Sequence, residues 1–360
     1  MQANPVALFN ETVEGISPIA DELRERAVSR HAQLTKPPGS LGVLESVGID
    51  LAAIQQTLQP RVESCCVVVM AADHGHTKSH QVGPYPRDVT AQMVANFVSG
   101  GAAINAIATT VGADMKIVDI GVDAHMGALQ SALLTHAPVG PGTADITTGP
   151  AMTKAQLYAA IGQGLAVAEQ CKAAGYQAVA LGEMGIGNTT IASAMTAVML
   201  DLPASEITGR GTGADDTMLQ RKVKVIETAI AENSLNALDG LDILQKIGGF
   251  ELAGLAGLAL GLARHRIAIV ADGFISTAAV TAATRINPTV SNYLFCGHLS
   301  PEPGHRFLLD ALQKRPLLNL DLRLGEGTGA CLSLTVLKTA ANILSDMATF
   351  DTAGVDNKTG

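Results

Sequence analysis

"CCVVVMAAD", residues 65–73, is the stretch that decides the fold. Thiol, valine, methionine and alanine side chains run without a polar break into one aspartate. β-Branched residues favour a strand, and the missing alternation means that both faces are covered, as in a parallel sheet. Five further runs read as strands: "KIVDIGVD" (116–123), "AVALGEMG" (178–185), "IAIVADGF" (267–274), "YLFCGHLS" (293–300) and "LNLDLRLGEG" (318–327). The last alternates Leu318, Leu320, Leu322 and Leu324, as an edge strand does. Helical segments lie between them, at 152–175, 188–200, 217–232, 250–264, 304–313 and 328–348. Strand–helix alternation predicts an α/β protein with a parallel sheet. Residues from about Ser17 to Gln56 read as helical, broken at "TKPPGSLG" (35–42). The predicted organisation is a small helical domain from residues 1–60 plus about 331–350, a large α/β domain over 61–330, and a frayed, flexible tail at 351–360.

The totals bound the function. Of 360 residues, 47% are hydrophobic and 16% charged, with a mean hydropathy of +0.26, so the chain is folded and rich in core. The net charge of −9 and the lack of a basic run argue against a nucleic-acid partner. Five cysteines without CxxC spacing read as reduced thiols, not as disulfides or a zinc site. The first residues lack the features of a signal peptide. The apolar helix "LAGLAGLALGLA" (252–263) is too short for a membrane span. The expectation is a cytoplasmic protein with no membrane span.

The strands end in polar or glycine clusters: "ADHGH", "DIGVD", "GEMGIGNTT", "ADGFIST", "GHLSPEPG" and "GEGTGA". In an open parallel sheet ligands bind outside the carboxyl ends of the strands, so these clusters are expected to build one site. In "GEMGIGNTTIASA" (182–194), Gly185 and Gly187 let the backbone approach a ligand, and the amides near Asn188, Thr189 and Thr190 open a helix that favours an anion. A tight strand–helix turn is the plainer reading. "GRGTGADD" (209–216) is a second glycine loop, followed by Lys222. That lysine is either a phosphate ligand or part of a solvated helix face. Asp215 and Asp216 are either ligands or helix caps. Asp73 and His74 are placed along the crevice, and no metal site is expected from His74, His76 and His80, since no second ligand cluster accompanies them. Tyr85, Gln92, Met93 and Phe97 offer a flat apolar surface for a planar ring, with core packing the alternative for Met93 and Phe97. Ser300 is either a ligand donor or a helix cap. Glu326, between Gly325 and Gly327, is a strand-end carboxylate whose burial raises its pKa toward that of a general base. The glycines then leave room for a flat ring to lie against it. An N-cap or first-turn acid of the helix at 328–348 is the other reading.

Taken in order, "KPPGSLGVLE" (36–45), "ADHG" (72–75), "GEMGIGNTT" (182–190), "GGFELAGLAG" (248–257), "DGFIS" (272–276) and "RLGEGTGA" (323–330) closely resemble the nicotinate-nucleotide–dimethylbenzimidazole phosphoribosyltransferase family of cobalamin synthesis. The resemblance runs from about residue 30 to 348. It implies a Rossmann-like, six-stranded parallel sheet, a small helical domain from both chain ends, and a homodimer. It implies transfer of 5-phosphoribose from nicotinate mononucleotide to 5,6-dimethylbenzimidazole, giving α-ribazole 5′-phosphate and nicotinate, without metal or cofactor. It implies that Glu326 is the base, that Glu183, Gly185, Lys222 and Ser300 hold phosphate and ribose, and that Leu324 touches the acceptor. The chain departs from the pattern where relatives place a serine and a glutamine: it offers Tyr85 and Met93, with Gln92 adjacent. That opens phenols, adenine or other benzimidazoles as acceptors. A dinucleotide-dependent oxidoreductase is the rival that "ADHGHTK" argues against, because GxGxxG is missing there. A non-catalytic nucleotide sensor is the other.

Overall fold

A computed structural model of the chain describes residues 5–357. Its centre is one all-parallel sheet of seven strands: β1 Cys65–Ala72, β2 Asp114–Gly121, β3 Leu134–His136, β4 Ala178–Met184, β5 Ala268–Ala271, β6 Leu294–His298 and β7 Pro316–Leu318. The order is β3-β2-β1-β4-β5-β6-β7. Every residue of β1 is buried, as the unbroken apolar run requires, and Val68 pairs with Lys116 on one side and Leu181 on the other. The order reverses between β1 and β4, so the ligand crevice of such a sheet is expected where "ADHG" and "GEMGIG" leave these two strands.

The sheet departs from six strands at both edges. β3 is three residues with a single neighbour, too short to show a period. The alternating run at 318–327 leaves the sheet after Leu318, and Leu320 and Leu324 stand exposed. Alternation there had no second neighbour to hold it, and Asp321 turns left-handed.

Helices cover both faces. Phe250–Arg264 is buried from Phe250 to Ala263 and packs on Lys154–Ala173. The contact is backbone to backbone: a Cβ on Gly257 would lie 2.3 Å from the Ile161 carbonyl oxygen. Helices Asp21–Gln33 and Val43–Gln55 meet the C-terminal helix Thr328–Asp346 around Ala27, Ala52 and Leu344. Arg30 donates to the Leu344 and Ser345 carbonyls that end that helix, a favourable place for a cation. The "KPPGSLGVLE" block is tied within itself, Lys36 Nζ lying 2.7 Å from Glu45 Oε1. Val47, Leu51 and Ile54 of the second helix join the same hydrophobic core as the sheet. The expected tail opens with a helical turn, Phe350–Ala353, and residues 358–360 of it lie outside the described residues. Val89–Val111 is apolar and long enough to cross a membrane by length and composition, but it folds as two helices, Val89–Ser99 and Ala103–Val111, parted at left-handed Gly100.

Candidate active site

Glu326 sits in a turn that few residues adopt. Gly325, Glu326 and Gly327 have φ of +90°, +62° and +83°. A glutamate there costs on the order of 1 kcal/mol or more, which the surroundings must offset. The turn is pressed onto β1 and β4. A Cβ on Gly182 would lie 2.5 Å from the Glu326 carbonyl oxygen, and one on Gly327 would lie 2.9 Å from Val67 Cγ2. The glycines therefore serve close backbone approach. The room expected beside Gly325 is filled, because a Cβ there would meet Glu183 Oε1 at 2.5 Å. Nor does Glu326 cap the helix that follows, whose N-cap is Gly327.

The Glu326 side chain is 4% exposed, and its Oε2 has no hydrogen-bond partner among the described residues. Burial pushes its pKa up. The Ile104 amide, in the first turn of Ala103–Val111, opposes this, and the Asp272 carboxylate adds to it. An unpaired lone pair in a buried, proton-avid carboxylate is what a base needs before its substrate arrives.

Three more carboxylates converge from distant parts of the chain: Glu183 at the end of β4, Glu251 in the first turn of Phe250–Arg264, and Asp272 just after β5. All are buried. The Asn188 side-chain amide donates to Glu183. Burial, then the charges of Asp272 and Glu251, push Glu183 up to about 8, so it is protonated at neutral pH and able to donate a hydrogen bond. The folded pKa lies above the unfolded 4.5, so the stabilisation is full below 4.5 and is lost as pH rises toward about 8. In thermal melts, the difference in Tm between the parent protein and Glu183→Gln should shift against the parent over that window and then level off. A difference independent of pH would refute the raised pKa.

The two glycine loops meet at Lys222. Its Nζ donates to Thr189 Oγ1 at 3.0 Å and to the Gly209 carbonyl at 2.9 Å, and it is 1% exposed. The solvated-face reading is thereby excluded. Burial lowers its pKa to about 8, with Glu302 holding it from falling further. Glu302 in turn accepts from the Gly211 amide at 2.7 Å. Gly187, φ +92°, is the N-cap of Asn188–Leu200, so Thr189 lies in the helix's first turn with a cation against its hydroxyl. A buried ammonium at a helix N-terminus, bounded by two glycine loops, is a setting that favours an anion.

Other expected residues are placed less tightly. The Ser300 amide donates to His305 Nδ1, and Ser300 Oγ accepts from the Glu302 amide. Its hydroxyl thus steadies the segment before helix Pro303–Leu312, whose N-cap is Glu302. Asp215 caps Asp216–Glu232 by accepting from the Met218 amide. Tyr85, Gln92 and Leu324 are exposed, Met93 is half-buried against the core, and Phe97 is fully buried in it. Helix Val89–Ser99 reaches the first glycine loop, since Thr90 Oγ1 accepts from the Ile186 amide at 3.1 Å. Among the described residues no group of three His, Cys, Asp or Glu is arranged to hold a metal ion. His74 Nε2 lies 2.8 Å from Glu251 Oε1, while His76 is buried under Gly187 with its pKa lowered to about 3 by desolvation. Sequence reasoning passed over Glu251, Asp272 and His298 as site residues. The only signal for them was their position at strand ends or helix starts within the quoted blocks.

A parallel sheet, a buried helical lysine between two glycine loops and an unpartnered carboxylate on the segment after β7 together make the setting of an α/β enzyme that handles a phosphorylated sugar. The particular family follows from comparison: residues 16–355 match a phosphoribosyltransferase family model, and the chain belongs to that family. It is similar to the nicotinate-nucleotide–dimethylbenzimidazole phosphoribosyltransferase of Chloroflexus aggregans (strain MD-66 / DSM 9485), 45% identical over 353 residues, 98% of this chain and 99% of that protein. The protein of the same name from Geobacter metallireducens (strain ATCC 53774 / DSM 7210 / GS-15) is 44% identical over 351 residues, 98% and 99% of the two chains. A crystal structure of CobT from Thermus thermophilus superimposes with a TM-score of 0.90 at 43% identity, covering 94% of this chain and 100% of that one.

Proposed function

We propose that the chain moves 5-phosphoribose from nicotinate mononucleotide to 5,6-dimethylbenzimidazole, giving α-ribazole 5′-phosphate and nicotinate. One observation carries this reading above the likeness to relatives of that name: an unpartnered Glu326 oxygen on the segment after β7 accompanies a Thr189–Lys222 pocket at the start of the helix that follows β4. The phosphate is held by the helix start at Asn188 and by Lys222. Phosphate binding away from the reacting carbon holds the sugar in place for displacement. The bond from C1′ to nicotinate breaks and its electrons leave with the pyridine nitrogen. The acceptor nitrogen forms the new C1′ bond, and the acceptor's N–H proton passes to Glu326. The carboxylate charge also favours the cationic sugar in the transition state. Glu183, protonated, donates to the ribose, with Gly185 and Ser300 completing the sugar site. Gly187, Asn188 and Thr189 supply the phosphate cradle.

The acceptor site is assigned to Tyr85, Gln92, Met93 and Leu324. Tyr85 is exposed between Pro84 and Pro86, a stiff mounting that presents its ring at little entropic cost. The active unit is a homodimer acting in the cytoplasm.

Nicotinate release from nicotinate mononucleotide, followed by chromatography with dimethylbenzimidazole, benzimidazole, adenine, phenol or no acceptor, tests the reading. Release that depends on dimethylbenzimidazole is expected. Release favouring another acceptor would keep the transfer and move its specificity to Tyr85 and Met93. No release with any acceptor would leave a nucleotide sensor and overturn the proposal.

A further inference from the structure

The left-handed turn of Glu326 is held from behind by a second carboxylate. Asp272 Oδ1 accepts from the Ala330 amide at 2.8 Å, and the amides of Gly327 and Gly329 are hydrogen-bonded to the same side chain. One buried carboxylate thus gathers the free amides that open helix Thr328–Asp346, immediately after the base. On the far side, His298 Nε2 stands 3.7 Å from Asp272 Oδ1, and both residues are 2% exposed.

The packing around this pair is built for it. A Cβ on Gly273 would lie 2.8 Å from His298 Nε2, and one on Gly329 only 2.0 Å from His298 Cδ2. A Cβ on Gly297 would lie 2.7 Å from Ala330 Cα. Three glycines, at a helix cap (Gly273), in β6 (Gly297) and in a helix's first turn (Gly329), leave out side chains so that an imidazole can wedge behind Asp272 and the helix start can press on β6. Ser333 completes the attachment by donating to the Gly297 carbonyl at 2.7 Å.

We infer that Asp272, backed by His298, is a positioning residue for Glu326: it gathers the amides behind the strained turn and fixes that turn in the orientation that presents the base. The inference rests on Glu326 being the base. The charged and titratable groups around the pair are few. Glu326 is faced by Asp272 and by the Ile104 amide, with Glu183 close to it from β4. Asp272 is faced by His298, behind which lies His305, its ring 6.4 Å from that of His298, and by Glu183 from β4 and Cys331 from helix Thr328–Asp346.

The test is the pH dependence of kcat and kcat/KM for the full-length Asp272→Asn protein beside Glu326→Gln. Asparagine still accepts from Ala330 but loses the charge and the second oxygen. The expected result is a kcat lower by roughly tenfold or more, as a slightly misplaced base gives, and a KM for nicotinate mononucleotide within about threefold. The acid limb of kcat/KM should move to lower pH by roughly half a unit to one unit, because a neighbouring negative charge has been removed. A merely structural role would lower Tm without moving that limb. An unmoved limb with unchanged kcat overturns the inference. If Asp272→Asn does not fold, His298→Gln carries the same expectation, since Asp272 without its partner holds a proton more readily, and an unmoved limb there overturns it equally. If Glu326→Gln keeps full turnover, it is the base assignment that fails, whatever Asp272→Asn does.

Discussion

Replacing Glu326 by glutamine should lower kcat by roughly 10²–10⁴-fold, the usual worth of a positioned general base, and leave the affinity for nicotinate mononucleotide within about threefold. Glutamine matches the shape of the side chain, so the buried volume beside β4 is kept and no cavity adds to the effect. The backbone is unchanged, since the left-handed φ of +62° costs glutamine what it costs glutamate. What is lost is chemical. The unpartnered oxygen no longer takes a proton, and the negative charge that favours a cationic sugar is gone. Isothermal calorimetry with the nucleotide and steady-state nicotinate release separate the two quantities. Loss of nucleotide affinity with kcat preserved would reassign Glu326 to substrate binding. The same carboxylate is expected to set the acid limb of the parent enzyme. Burial raises its proton affinity, so kcat/KM should fall on the acid side at a pH above the ordinary 4.5 of a glutamate.

The sequence showed the parts of this site better than their assembly. The helix expected at 188–200 is observed as Asn188–Leu200, because a glycine loop, a cap position and an apolar run all agree there. The β1 run was equally plain, since a strand covered on both faces needs apolar residues throughout. β3 was invisible because three residues at an edge carry no period. The leucine alternation at 318–327 misled, because alternation states a preference for pairing and not the presence of a partner. Glu326 and Lys222 were legible as chemistry in a glycine-rich setting. Asp272 and Glu251 were not. Each sits in a block that reads as a strand end or a helix start, and only the three-dimensional convergence of residues 183, 251, 272 and 326 makes them one electrostatic unit. Sequence spacing cannot report a convergence across that many crossovers. The role of Gly182 escaped for the same reason: its lack of a side chain matters only because the Glu326 carbonyl lies against it.

Replacing Lys222 by alanine should weaken nicotinate mononucleotide binding by roughly 10–100-fold, as loss of a charge-assisted hydrogen bond does, and change kcat much less. The lysine is buried, so it reaches the site at a cost already visible in its pKa, lowered to about 8. A phosphate bound beside the Thr189 hydroxyl would restore the ammonium form, and binding would then take up a proton. Above about pH 8 the free enzyme has lost that proton, so nucleotide affinity of the parent protein should fall as pH rises through and beyond that value. The alanine variant should bind weakly with no such alkaline decline. The unphosphorylated nucleoside should bind parent and variant alike, because it lacks the group that Lys222 meets. Alanine also removes the cationic neighbour of Glu302, whose Oε1 accepts from the Gly211 amide while its Oε2 has no hydrogen-bond partner among the described residues. Lys222→Met separates that effect from the loss of the charge by refilling the volume around Thr189 and Gly209. If methionine restores nucleotide affinity, the lysine is there for packing. If methionine and alanine fail alike and the nucleoside is indifferent to both, the buried ammonium is what anchors the phosphate.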